Sequence, residues 1–233
     1  MKAILFDLDG TLLPMDQEVF VRNYLARMAK YLEPWGYDPK LLVKAVWAGT
    51  GAMMKNDGSA LNEDVFWQVF NGIMGKDARK DGELFEAFYQ GEFQKSRESC
   101  GSNPASAQII GQIKDMGYSV ILATNPLFPP IATQSRIRWA GLRPEDFLLV
   151  TTYDNSHFCK PNPEYYREIL GKLGLDAAQC LMVGNDVSED MAAEKLGMRV
   201  FLLTDCLINR ENTDISRFPK GGFPELLQYI RSL

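Results

Sequence analysis

Residues 3–13 read AILFDLDGTLL. Four apolar residues, Ala3 to Phe6, run straight into two carboxylates, Asp7 and Asp9, followed by Gly10 and Thr11. A short run that is apolar throughout fits a parallel strand buried on both faces. Asp7 and Asp9 then stand at its carboxyl end, the edge at which open α/β sheets bind ligands. Alone, the pair would be read as turn or helix-capping residues. Similar apolar runs recur at Ser119–Ala123, Phe147–Val150, Cys180–Val183 and Val200–Leu203. Between them lie amphipathic stretches, Ala105–Met116, Pro130–Ala140, Pro163–Leu173 and Glu189–Leu196, each stopped by a glycine. Glycine just past a helical run is the expected terminator. This alternation predicts an α/β fold, a Rossmann-like parallel sheet with helices on both faces.

One region breaks the rhythm. From Met15 to Gly101 there is no strand pattern, and Val19–Tyr31, Pro39–Trp47, Asn62–Met74 and Gly82–Ser96 all carry helical spacing. This predicts an all-helical domain over residues 15–101, inserted into an α/β core made of residues 1–14 and 102–233. The stretch GTGAMMKNDG, Gly49–Gly58, reads as a loop within this insertion that reaches over the ligand-binding edge of the sheet. Trp35, Trp47, Trp67 and Trp139 read as packing residues.

The bulk numbers narrow the function classes. The 233 residues are 46% hydrophobic, enough for a sizeable core, and the formal net charge is −5. A mildly acidic chain without a basic run is a poor binder of nucleic acid or anionic membrane. No apolar stretch is long enough for a membrane span, and the N-terminus does not read as a secretory signal. Cys100, Cys159, Cys180 and Cys206 show no close spacing. Neither a zinc site nor a redox pair is suggested, and a cytoplasmic protein with reduced thiols is expected. Nothing in the sequence marks an oligomeric state.

The residues beyond the strand ends carry the chemistry. After the first run come Asp7, Asp9, Gly10 and Thr11; after the second, Thr124 and Asn125. Lys160 follows the third, and Gly184, Asn185, Asp186 and Asp190 follow the fourth. If the strands are neighbours, these groups meet. Clustered carboxylates are costly to bury unless paired or bound to metal. Oxygen ligands without His or Cys favour a hard cation, Mg²⁺ rather than Zn²⁺. The single histidine, His157, reads as a loop residue.

DLDGT at Asp7–Thr11, Thr124-Asn125, Lys160 and GNDVSED at Gly184–Asp190 resemble, in order and spacing, the four motifs of the haloacid dehalogenase-like (HAD) hydrolase superfamily. The helical insertion resembles the cap of many members. The resemblance implies Asp7 as nucleophile and Asp9 as general acid and then base. It implies Thr124 and Asn125 as phosphate-binding groups and Lys160 as the charge-stabilising cation. Asp7, the Asp9 carbonyl and Asp186 would hold Mg²⁺, with Gly10, Thr11, Asn185 and Asp190 in support. Many relatives carry an acid where Asn185 stands, so Asn185 is either a ligand through its carbonyl oxygen or an outer group. Asp190 is expected to orient water or pair with Lys160. Members that dehalogenate usually lack an acid at the Asp9 position, so the resemblance favours a phosphatase acting on a small organic phosphate ester through an aspartyl-phosphate. A phosphomutase of the same superfamily, or a non-catalytic binding protein on the same fold, are the alternatives. The cap carries no readable motif for the substrate.

Overall fold

The computed structural model describes residues 1–233. Five parallel strands, β1 (Ala3–Phe6), β2 (Ser119–Leu122), β3 (Cys180–Gly184), β4 (Arg199–Leu203) and β5 (Lys220–Gly221), form one sheet in the order β2-β1-β3-β4-β5. Eight α-helices accompany them: α1 (Gln17–Leu32), α2 (Pro39–Met54), α3 (Asn62–Met74), α4 (Gly82–Gln90), α5 (Ala105–Asp115), α6 (Pro130–Trp139), α7 (Pro163–Leu173) and α8 (Phe223–Arg231). None is long and apolar enough to cross a membrane.

Strand side chains alternate between two apolar layers. Ile4 and Phe6 pack with Ile109 and Ile113 of α5 and Leu226 and Ile230 of α8. Ala3 and Leu5 face the other way, against Tyr165, Tyr166 and Ile169 of α7. This two-sided burial explains why the strands read as unbroken apolar runs rather than alternating ones. The sheet is therefore the parallel α/β arrangement expected, with β1 at its centre and helices on both faces.

Between β1 and α5 the only regular elements are helices, with no strand. It leaves and returns at one place: Met15 bridges Cys100, and the Gly101 N–H donates to the Pro14 carbonyl at 2.7 Å. Asp16 starts α1 by accepting from the Glu18 and Val19 N–H groups, and Asp38 starts α2 by accepting from Leu41, both ordinary N-caps. The apolar layer on the Ile4–Phe6 side continues without a break through Leu12 and Leu13 into Phe20, Tyr24 and Phe93.

Five local expectations need correction. Phe147–Val150 is not a strand. It lies parallel to β2, with Leu148 N–H on Val120 and Leu122 N–H on Leu149, but only Val150 forms a bridge. It is the sheet's outer rim, where Leu148 is exposed. Gly49–Gly58 is not one loop, because α2 runs on through Gly49 and Gly51 to Met54. A Cβ on Gly49 would sit 2.6 Å from the Phe66 ring, so the glycine is there to let α2 and α3 approach. Glu189–Leu196 yields only a 3₁₀ turn, Met191–Leu196, and α4 gives way to another over Glu92–Ser99. Finally, Trp67 and Trp139 are buried, but Trp35 and Trp47 are exposed.

Candidate active site

The strand order reverses at β1: β2 lies on one side and β3 on the other. A crevice opens beyond the carboxyl ends of strands at such a point. The Asp7 N–H donates to Val183 at 2.9 Å, so Asp7 extends the β1 ladder by one residue. The chain then turns sharply, with the N–H groups of Thr11, Leu12 and Leu13 all converging on the Leu8 carbonyl. Gly10 has φ +89°, and a Cβ there would collide with the Asn185 amide. Both the backbone and the space demand glycine.

Lys160 ties the site together. It is fully buried, and its Nζ donates to Asp7 Oδ1 at 2.9 Å and Asp190 Oδ1 at 2.7 Å. Burial alone would pull the lysine down, but Asp190 and Asp7 hold it well above the usual range. Asp190 Oδ2 accepts the Asp186 N–H at 2.9 Å. The oxygen lies where a Cβ on Gly184 would be, so that glycine makes room for the carboxylate. A continuous chain thus runs from Asp7 through Lys160 and Asp190 to Asp186.

Asp186 Oδ1 accepts from the Ser188 and Glu189 N–H groups and the Ser188 hydroxyl. Its Oδ2 meets the largely exposed Arg210 at 3.1 Å. Asn185 is spoken for: its carbonyl oxygen accepts the Thr11 hydroxyl at 2.8 Å, and its amide donates to Cys206 O at 2.7 Å. It locks the DLDGT turn to the β3 end. Thr124 is buried, and its carbonyl accepts from Thr151 and Tyr165 hydroxyls. Asn125 accepts the Lys160 N–H at 3.2 Å and donates to Glu189 Oε2 at 3.1 Å. His157 sits elsewhere, paired with Glu168 of α7 at 2.8 Å.

Two residues were not anticipated. Arg136 of α6 is almost fully buried and pairs directly with Asp9 Oδ2, its guanidinium lying 4.2 Å over the Phe128 ring. Burial lifts the Asp9 carboxyl to about 6, with Arg136 opposing and Asp7 adding to the rise. Asp9 Oδ1 is buried without a partner. Glu189 is likewise raised by burial to about 8, against the attraction of Lys160. The sequence did carry one signal for Arg136: on α6 it falls among the buried Ala132, Thr133, Ile137 and Trp139.

The donors at this edge are oxygens of the kind that suit a hard divalent cation. No trio of acidic, His or Cys side chains converges. The Asp7 and Asp186 carboxylates and the Asp9 carbonyl, which accepts the Gln17 amide at 3.2 Å, are oxygen donors of the hard type that Mg²⁺ takes. The Arg210 guanidinium already satisfies a cation preference at Asp186.

A model of the family described as haloacid dehalogenase-like hydrolase matches residues 1–197. The chain belongs to the haloacid dehalogenase-like hydrolases. Among curated members, it is 25% identical to the pyrophosphatase PpaX of Bacillus velezensis, covering 84% of this chain and 80% of that one. It is 28% identical to a phosphoglycolate phosphatase of Vibrio parahaemolyticus, covering 99% and 96%. Among solved structures, a 2-haloacid dehalogenase of Pseudomonas syringae superposes with TM-score 0.66 at 19% identity, over 100% of this chain and 99% of the other. At that identity the likeness speaks for the fold alone. As a member of this family the chain is an enzyme, a hydrolase.

Proposed function

We propose that this HAD hydrolase is a phosphatase that cleaves a small phosphate monoester, with Mg²⁺, through an aspartyl-phosphate. The observation that carries the reading is the buried Asp7–Lys160–Asp190 relay beside an Asp9 whose carboxyl is raised to about 6. A group with pKa near the working pH can both give and take a proton.

Asp7 attacks phosphorus, and the bond to the ester oxygen breaks. Asp9 gives its proton to the departing alkoxide, and its partnerless Oδ1 is the atom free to carry it. Asp9 then takes a proton from water as that water attacks the phosphoryl group, releasing phosphate and restoring Asp7. Lys160 offsets negative charge on Asp7 throughout, held in place before the reaction begins. Thr124 and the Asn125 N–H orient the phosphoryl oxygens. Mg²⁺, held by Asp7, the Asp9 carbonyl and Asp186, would draw off phosphoryl charge. Residues 15–101 are read as a cap that excludes water from the site. The names of the relatives support a phosphatase, and Asp9 supports ester over carbon–halogen chemistry.

The test is phosphate release from sugar, nucleotide and small organic phosphates with Mg²⁺, for the native enzyme and Asp7→Asn. The native enzyme is expected to release phosphate, and Asp7→Asn to lose turnover while keeping its fold and its affinity for inorganic phosphate. Undiminished turnover in Asp7→Asn refutes the mechanism. An isomerised sugar phosphate in place of free phosphate makes the enzyme a mutase.

A further inference from the structure

The helices α1–α4 and the segment following β2 enclose a cavity of about 620 Å³, a volume typical of small-molecule sites. Of its 22 lining residues, 15 are hydrophobic. Its walls are largely rings: Tyr24, Trp67, Phe70, Phe85 and Tyr89 from the helices and Phe128 from the core side. Trp47 lines it too and is 55% exposed, so solvent reaches the cavity.

Its floor is Leu127–Ile131, which follows directly on the phosphate-side residues. The Leu127 N–H donates to the Asn125 carbonyl at 2.8 Å. Phe128 carries the Arg136 guanidinium that pairs with Asp9. On the helical side, Thr50 lies one turn before Met54, whose sulfur accepts from the Asn125 side-chain Nδ2 at 3.8 Å. The cavity therefore adjoins Asn125, through Leu127 and Met54, and the proton-transfer pair, through Phe128. Its charged lining is Glu63, Arg79 and Glu86, and Arg79 is already paired with Asp64 at 2.6 Å. A second anionic group on a substrate would find no unpaired cation there.

We infer that this cavity receives the leaving group, and that the substrate is a phosphate monoester of an alcohol bearing a large apolar, aromatic group. The inference rests on the phosphatase reading above. Apolar rings gain by leaving water and stacking against the wall rings. A carboxylate or polyol would lose its hydration there without replacement. A phosphoglycolate-type substrate, small and carrying a carboxylate besides its phosphate, matches neither the size nor the chemistry of the space.

The test compares 2-naphthylmethyl phosphate, methyl phosphate and 2-phosphoglycolate with the full chain and Mg²⁺. The first two release primary alkoxides of similar basicity, so their ratio of kcat/KM reports recognition rather than intrinsic reactivity. The naphthylmethyl ester is expected to exceed each of the others at least tenfold. Filling the cavity by Val21→Trp, or independently by Thr50→Phe, is expected to bring the naphthylmethyl-to-methyl ratio below threefold. Equal rates, or a preference for methyl phosphate or phosphoglycolate, overturn the inference and leave the phosphatase reading standing. A tenfold preference that survives both filling variants also overturns it. No phosphate release from any ester overturns the phosphatase reading itself, and this assignment with it.

Discussion

Replacing Lys160 with methionine keeps most of the side-chain volume and removes the charge. Lys160 has none of its surface exposed, and Asp7 and Asp190 lie at 2.9 and 2.7 Å from its Nζ. The variant leaves two carboxylates facing each other in a buried site. Breaking a buried pair by deleting one partner costs about 3–5 kcal/mol. For a chain of this size about 1 kcal/mol moves Tm by roughly 2–4 °C, so Tm should fall by roughly 6–20 °C. The loss should depend on pH. In the native protein Lys160 is held well above its usual range. Its contribution is therefore fully present below the ordinary lysine pKa and lost only as pH rises through the raised value. In Lys160→Met the two acids repel, and at least one binds its proton more tightly folded than unfolded. Stability of the variant then rises as pH falls toward 5, and the gap to the native protein narrows. Urea denaturation at pH 5 and pH 8 measures both effects. Adding Asp190→Asn to the variant should recover about 1–3 kcal/mol, since neighbouring groups couple on that scale. A Lys160→Met protein within about 1 kcal/mol of native at both pH values, the scale of a surface pair, would refute the reasoning.

Arg136→Met should move the alkaline limb of kcat/KM to higher pH, because Asp9, now raised to about 6, loses the cation that opposes the rise; an unshifted limb separates Arg136 from Asp9 function. Gly184→Ala places a methyl on the Asp190 carboxylate; a loss of about 1–3 kcal/mol or more in urea denaturation is expected, with a parallel fall in turnover. Gly49→Ala improves helix propensity by roughly 0.8–1 kcal/mol yet meets the Phe66 ring at 2.6 Å. A net loss of Tm is expected, and a gain would mean that the two helices separate freely.

What could be read in advance followed from how local each signal is. Ala3–Phe6 and Cys180–Val183 announce themselves because central parallel strands are apolar on both faces. Phe147–Val150 imitates them, but it runs along the open side of β2, where Leu148 needs no cover. The two-residue β5 is too short to leave a pattern. Asp7, Lys160 and Asp190 lie up to 183 residues apart in sequence, and motif order alone suggested their meeting; the ion pairs supply the geometry. Arg136 escaped notice because one arginine in a helix ordinarily faces water, and only its partner Asp9, 127 residues away, makes its burial sensible. Gly49 looked like loop chemistry because a glycine serving a ring on another helix is indistinguishable in sequence from one serving a turn. The aromatic cavity was invisible for the same reason, its rings being scattered across four helices and a connecting segment.

The central place of β1 also sets an order of assembly. Its two partners begin at Ser119 and Cys180, while Ala3 pairs with both. The strand that carries Asp7 leaves the ribosome before either partner, and it has neither to pair with until more than a hundred further residues have followed. Closing loops of that length costs entropy before any contact repays it. The helical stretch between can organise earlier from near-neighbour contacts. Asp7 is thus the earliest of the chemical groups to be made and among the last to be positioned. Recovery of activity during refolding should therefore trail recovery of helix content, the lag marking the moment when β3 closes on β1.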